Sequence, residues 1–352
     1  KWVKKNYPDV KSDLFSSFIV RIMDFAGEHG EVGMMTPFVW MFIGSYEKLR
    51  NRLIDDKTLT TLIQLEYSGF AGATVPICTF TYHNSHIDGY KGGYVRLADF
   101  TGPAVQAPKA LEAIQNPNCG WFYRRDADTF KQIPGTPIAY WASDAMLKAF
   151  NDGSSISAGF DAVVKGSFTG DNNRFLRLWH EVSQCYIGSD WRLYNKGGAF
   201  RRWFGNREYV IFWRNGAEDL KAFPGSGLSP SKYFDRGTLT WSKITSGKPS
   251  FRFNEPGVFF DDASPAFVIP REMKSSDINS TLAFLNSAVA SEMLSFIAPT
   301  LNCQVGDIIS LPRLDVIEGD VIERLTFSSV DLSKIDYDSL ETSWDFKRHP
   351  LV

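Results

Sequence analysis

SDLFSSFIVRIMDFAGEHGEVGMMTPFVWMFIGSYEKLRNRLIDDKTLTTLIQL, residues 12–65, alternates two hydrophobic periods. Over 12–27 the apolar residues Leu14, Phe15, Phe18, Ile19, Ile22 and Phe25 recur at helical spacing, with Ser12 placed to cap the first turn. GEVGMMTP, residues 30–37, is a short apolar run stopped by Pro37 and reads as a buried strand. Helical spacing resumes over 38–55 through Phe38, Met41, Phe42, Tyr46, Leu49 and Leu53, and a second apolar run follows from Leu59 to Leu65. Further strand-like text stands at 73–83 and 92–100. Helix, strand, helix, strand is the order of an α/β layer. It starts in mid-sheet, because a doubly wound sheet carries its ligand loop after the first strand and no glycine-rich loop lies ahead of residue 12. The chain opens on Lys1 directly into helix-like sequence, as an excised piece of something longer would.

At 352 residues there is length for two ordinary domains, and 43% hydrophobic residues make them globular. The net charge of −2 hides an uneven distribution: 15 Lys/Arg against 9 Asp/Glu over 160–260, and 2 against 9 over 315–345. A basic middle and an acidic tail suit a polyanion-binding face followed by a solvated segment. The four cysteines, Cys78, Cys119, Cys185 and Cys303, form no CxxC pair, so neither a disulfide framework nor a zinc site is expected and a reducing, cytoplasmic setting is. No apolar run has the length to span a bilayer and no signal peptide is read, so no membrane partner is expected.

The basic middle is concentrated in SDWRLYNKGGAFRRWFGNREYVIFWR, residues 189–214, where Trp191, Trp203, Phe204 and Trp213 interleave with Arg192, Lys196, Arg201, Arg202, Arg207 and Arg214. Cations neutralise phosphates and flat rings stack on bases. The same pattern also fits a half-buried strand pair whose arginine stems run along aromatic surface. Upstream, Asp171, Asn172, Asn173 and Arg174 suit the reading of base edges, or else close an Asx-type turn. Lys243, Lys248 and Arg252 continue the theme downstream, among short runs that read as strands of a mainly antiparallel assembly. His83 and His86 lack an acidic partner at helical spacing, and Asp261 and Asp262 read as a turn or strand end, so no metal site is expected.

The strings SDLFSSF, GEVGMMTPFVWMF, SYEKLRNRL and LIQLEYSGFAGATVPICTF resemble, in order and spacing, the second half of the catalytic domain of γ-class adenine-N6 DNA methyltransferases. TGDNNRFLRLWHEV, YNKGGAFRRWFGNREYV, GTLTWSKITSGKPSFRF and ETSWDFKRHPLV are similar to the methyltransferase branch of BREX phage-exclusion systems, and the likeness runs along essentially the whole chain. It implies a fold of α/β plus α+β class: the C-terminal half of a Rossmann-like methyltransferase sheet over 1–90, a mixed, β-rich target-recognition domain over 91–312, and an acidic helical linker over 313–352. It implies S-adenosylmethionine as cofactor in the full-length protein, double-stranded DNA as partner, and other defence proteins as further partners. Carried over, the cofactor-lining aromatic falls on Phe18 and the aromatic that stacks on the flipped base on Phe70, with Tyr67 and Phe80 as fallbacks. Arg174, Arg177, Lys196, Arg201, Arg202, Trp203, Arg207, Lys243, Lys248 and Arg252 become DNA-binding candidates. Neither the glycine-rich cofactor loop nor Asn-Pro-Pro-Tyr occurs in the sequence, so the chain alone is expected to bind DNA without methylating it. A non-enzymatic specificity module for a separate catalytic subunit, or part of a fused endonuclease and methyltransferase, are the alternatives.

Overall fold

Residues Lys1–Asp152 are organised by a sheet of order β1-β3-β2-β4-β5: β1 (Glu31–Pro37), β2 (Thr58–Gln64), β3 (Ile77–His83), β4 (Lys91–Arg96) and β5 (Phe122–Asp126). β3 lies antiparallel between β1 and β2, which therefore run parallel to each other; β4 is parallel to β2, and β5 antiparallel to β4. Alternation puts Cys78, Phe80 and Tyr82 of β3 into one core, and on β2 Leu62 joins that core while Ile63 packs into a second cluster with Val95 and Leu97. The structure is a computed structural model that describes residues 1–67, 75–245, 247–298, 302–314 and 319–352.

Helices α1 (Trp2–Asn6), α2 (Leu14–Phe25) and α3 (Glu47–Asp55) stand between the N-terminus and β2. The cap of α2 is Asp13, whose carboxylate accepts the Leu14 N–H, rather than Ser12. Ile19, Val20 and Met23 are buried, whereas Leu14, Phe18 and Phe25 are exposed, so the apolar residues of α2 divide between two faces. The helical period from 38 to 55 becomes regular α-helix only from Glu47; before it the chain turns through short 3-10 segments at Phe38–Met41 and Gly44–Tyr46. The reason is Arg50, fully buried, whose guanidinium donates to the carbonyls of Trp40, Ile43 and Gly135 and so holds the backbone out of helical pairing. Burial lowers that guanidinium from its ordinary range to about 10, and it stays charged at neutral pH. Helices α4 (Pro103–Gln115) and α5 (Asp144–Asp152) complete the unit. Position 90 thus falls inside one sheet, between β3 and β4, and the compact unit ends at Asp152.

Gly153–Val352 carries two further sheets. One has the order β11-β10-β13-β6, all antiparallel, from β6 (Ala162–Val164), β10 (Thr238–Trp241), β11 (Phe251–Asn254) and β13 (Ala266–Val268). The other, β12-β8-β9-β7, combines β7 (Leu176–Leu178), β8 (Trp191–Asn195), β9 (Tyr209–Phe212) and β12 (Phe259–Phe260), with β12 parallel to β8. At Gly166 an added Cβ would lie 2.1 Å from the Phe260 carbonyl oxygen, so this backbone crossing admits only glycine. Helices α6 (Asn172–Phe175), α7 (Arg214–Ala222), α8 (Ser275–Leu285), α9 (Ala288–Ile297), α10 (Val305–Ile309) and α11 (Gly319–Asp338) complete it. The acidic tail is packed here: Tyr337 of α11 is fully buried, edge-on to Phe204. Among the described residues no single helix is long and apolar enough to cross a membrane.

Candidate nucleic-acid interface

The basic stretch forms the connection between β8 and β9, and its path needs unusual backbone. Gly197 and Gly198 turn it at φ 78° and 132°, and an added Cβ on Gly197 would stand 2.9 Å from the Ala263 carbonyl. Trp203 has φ 72° and Asn206 φ 58°. From below, Arg252 donates to Arg201 O at 3.2 Å and to Ser242 Oγ at 3.2 Å, while Ser242 Oγ donates to Gly198 O at 3.1 Å.

Arg252 is therefore no DNA ligand: it is fully buried, without an acidic partner among the described residues, and burial lowers it to about 10. Arg207 is likewise internal. It lies 3.9 Å from the Phe204 ring centroid and pairs with Glu255, which is also reached by Lys334 at 3.6 Å. Burial pushes the Glu255 carboxyl up, but the charge and hydrogen bond of Arg207 outweigh it and bring the group below its ordinary value. Lys243 is tied to Asp262 at 2.8 Å. A basic count does not distinguish guanidinium groups that hold backbone from those that face water, since both come from the same long stems.

What remains at the surface is narrower. Lys196, Arg201 and Arg202 are partly exposed and Lys248 is exposed; Lys196 stands within electrostatic reach of Asp261, whereas Arg201, Arg202 and Lys248 form no ion pair among the described residues. Lys196 sits 5.4 Å from the Tyr209 ring, Arg201 5.0 Å from Tyr337 and Arg202 5.4 Å from Phe200. Phe200, absent from the sequence-based set, is 56% exposed and lines a groove of about 400 Å³ with Arg201, Arg202, Trp203, Leu332 and Asp336. Its place between Lys196 and Arg201 in the same string was the available signal.

A second cluster surrounds α6. The Asp171 carboxylate accepts the Arg174 N–H at 3.1 Å and Thr169 Oγ1 donates to Asn172 Oδ1 at 2.7 Å, so the Asp-Asn-Asn run caps a turn. Arg174 is exposed, 5.1 Å from the Phe175 ring and 5.3 Å from Phe223. Arg177 spends its Nη1 on the carbonyls of Asn173 and Leu176, at 2.7 and 2.6 Å. Both line a cavity of about 290 Å³ with Trp191, Phe212 and Asp219.

In the Lys1–Asp152 unit, Phe18 is 54% exposed rather than packed on the sheet, which leaves its ring open to a ligand. Phe70 lies outside the described residues. Of the fallbacks, Tyr67 is exposed and Phe80 is buried in the core against Trp40, at 5.0 Å between centroids, so Phe80 cannot meet a base.

Residues 1–70 match the family described as Eco57I restriction-modification methylase. Along 100% of its length the chain is 34% identical to the adenine-specific methyltransferase PglX of Lacticaseibacillus casei (strain Zhang), covering 31% of that protein. It is 33% identical, again over its whole length, to the adenine-specific methyltransferase BrxX of Escherichia coli O9:H4 (strain HS), covering 29%. The chain thus spans about a third of these relatives. Among solved structures, the Type IIL restriction-modification enzyme MmeI in complex with DNA shares the fold over 97% of the chain and 51% of its own, at a TM-score of 0.56 and 11% identity. The α/β and β-rich composition read from the sequence is present in the chain and in the fold it shares with MmeI.

Proposed function

Homologous along its whole length to the adenine-specific methyltransferases PglX and BrxX, the chain is, we propose, the target-recognition portion of a site-specific DNA adenine-N6 methyltransferase of a phage-defence system. The observation that carries this is the loop from Lys196 to Phe204, which offers Arg201 and Arg202, without an ion-pair partner among the described residues, and Lys196 beside the exposed ring of Phe200 and the partly buried ring of Trp203. Its underside is held by a buried arginine, which supplies a preorganised loop. Cations at this density attract phosphates, and the adjoining rings suit bases. Arg174, with its donors uncommitted to carbonyls, is the proposed base reader; Arg177, bound to backbone, positions the turn.

Phe18 is the proposed contribution to the S-adenosylmethionine site. An exposed ring on one helix does not hold a cofactor, and the sequence contains neither a glycine-rich loop nor Asn-Pro-Pro-Tyr. No methyl-transfer step is therefore derived for these residues, and the chain alone is proposed to bind duplex DNA without modifying it. Phe70 remains the proposed partner of a flipped adenine.

Duplex binding measured at roughly 50 and 200 mM salt tests the reading: affinity should fall steeply, because each phosphate contact releases counterions. Absence of retention at the lower salt would remove the DNA-binding claim. Methylome sequencing of cells with and without the full-length protein reports chemistry and target together; loss of no adenine mark would favour a non-enzymatic specificity module.

A further inference from the structure

Trp203 stands apart from the other tryptophans. Of the ten in the chain, nine meet another ring, a cation or a hydrogen-bond acceptor; the Trp203 indole has no such partner among the described residues. Its backbone is nevertheless in the left-handed region at φ 72°, where a bulky side chain is strained. That conformation is imposed from both sides by β11: the Trp203 N–H donates to Phe251 O at 2.8 Å and the Phe253 N–H donates to Trp203 O at 2.9 Å. Trp203 is partly buried, so the strained backbone holds its ring in place, and the part left at the surface has no polar or aromatic partner among the described residues.

The ring is presented to the groove of about 400 Å³ lined by Phe200, Arg201, Arg202, Leu332 and Asp336. Asp336 is exposed and has no cation partner among the described residues, so this end of the groove repels phosphate. A carboxylate does accept the exocyclic amino group of cytosine or adenine. The groove therefore has two rings for a flat face, two guanidiniums at its rim for a backbone, and one acceptor for an amine.

We infer that Trp203 is a base-stacking residue: it receives an unstacked, amino-bearing base of the duplex gripped by Arg201 and Arg202, with Asp336 accepting the amino N–H. This rests on the proposed DNA-binding role and adds a nucleobase site within it. Stacking is largely insensitive to salt, whereas phosphate contacts are not, and the two are thereby separable.

The test compares the 352-residue chain with Trp203→Gly and Trp203→Phe, reading thermal stability, duplex affinity against salt, and fluorescence of 2-aminopurine placed along the duplex. Glycine accepts φ 72° without strain, which offsets part of the packing lost with the partly buried indole, so the expected Trp203→Gly protein keeps a single cooperative transition. It should bind on the order of tenfold more weakly, with an unchanged salt slope and without the fluorescence rise that wild type gives at one position. Trp203→Phe should restore most of the affinity and the rise. Loss of that transition in Trp203→Gly, with Trp203→Phe restoring folding but neither the affinity nor the fluorescence rise, would make the indole a packing residue and overturn the inference. Unaltered affinity and fluorescence in Trp203→Gly, with salt-dependent binding intact, would also overturn it while leaving the DNA-binding role standing. Failure of the wild-type chain to bind any duplex would overturn both.

Discussion

The phenolic oxygen of Tyr337 accepts the backbone N–H of Arg207 at 2.8 Å, joining two residues 130 positions apart. Through this bond the acidic C-terminal helix becomes a wall of the basic loop's foundation: Arg201 lies over the Tyr337 ring, and burial pushes the phenol up to about 12, so it stays neutral at any ordinary pH. Tyr337→Phe leaves a buried N–H without an acceptor. It should cost about 1–3 kcal/mol, read as a lower urea midpoint with an unchanged slope, while Tyr337→Trp, which overfills the site, should cost more.

Arg201→Ala combined with Arg202→Ala should weaken duplex binding alike for every sequence and flatten the salt slope by roughly two. Arg174→Ala should instead relax preference at a single base position and leave the slope nearly unchanged. Competition binding against a panel of single-base variants checks both. Indistinguishable profiles would remove the division between grip and readout.

The Arg207–Glu255 pair predicts a pH dependence. Because the folded state holds the Glu255 carboxyl below its ordinary value of 4.5, the pair's stabilisation is fully present above that value and is lost as pH falls through the lowered one. Glu255→Gln should therefore be less stable than wild type near neutrality, with the gap closing in acid. Asp261 acts in the opposite sense: burial raises it, so its ionisation opposes folding as pH rises past 3.8. Denaturation midpoints of the two proteins from about pH 3 to 7 read the difference directly; parallel curves would contradict the assignment.

Thiol chemistry should sort the four cysteines by depth. Cys78 and Cys303 are buried, and burial pushes both thiols up to about 12, whereas Cys185 is exposed and Cys119 partly so. An aromatic disulfide reagent should therefore label Cys185 first and Cys119 more slowly in the native protein, with Cys78 and Cys303 reacting only on unfolding. Early labelling of Cys78 would mean that the β3 core opens readily.

The alternation of hydrophobic periods over residues 12–65 was enough to order helices and strands, because burial on one face of a helix or strand is written at fixed local spacing. Short aromatic runs such as REYVIFW and GTLTWSKI gave β9 and β10 for the same reason. Glycine 197 and 198 announced the turn that aims the basic loop. Local spacing did not say which apolar residues face inward: Phe18 shares the helical period of α2 yet is exposed, since that helix carries apolar side chains on two faces. The seam expected at 90 fell within a sheet, because β4 finds its partner β2 about thirty positions back.

By itself the sequence determined the kinds of element, the concentration of cations and rings in the middle of the chain, and the likeness to proteins described as adenine-specific methyltransferases. Only the tertiary structure decided which cations face solvent: Arg207 and Arg252 went inside to hold carbonyls and Glu255, and Lys196, Arg201 and Arg202 stayed out. The physical reason is that a guanidinium's direction depends on acceptors supplied by distant strands and by a helix 130 residues away, and no local period records them.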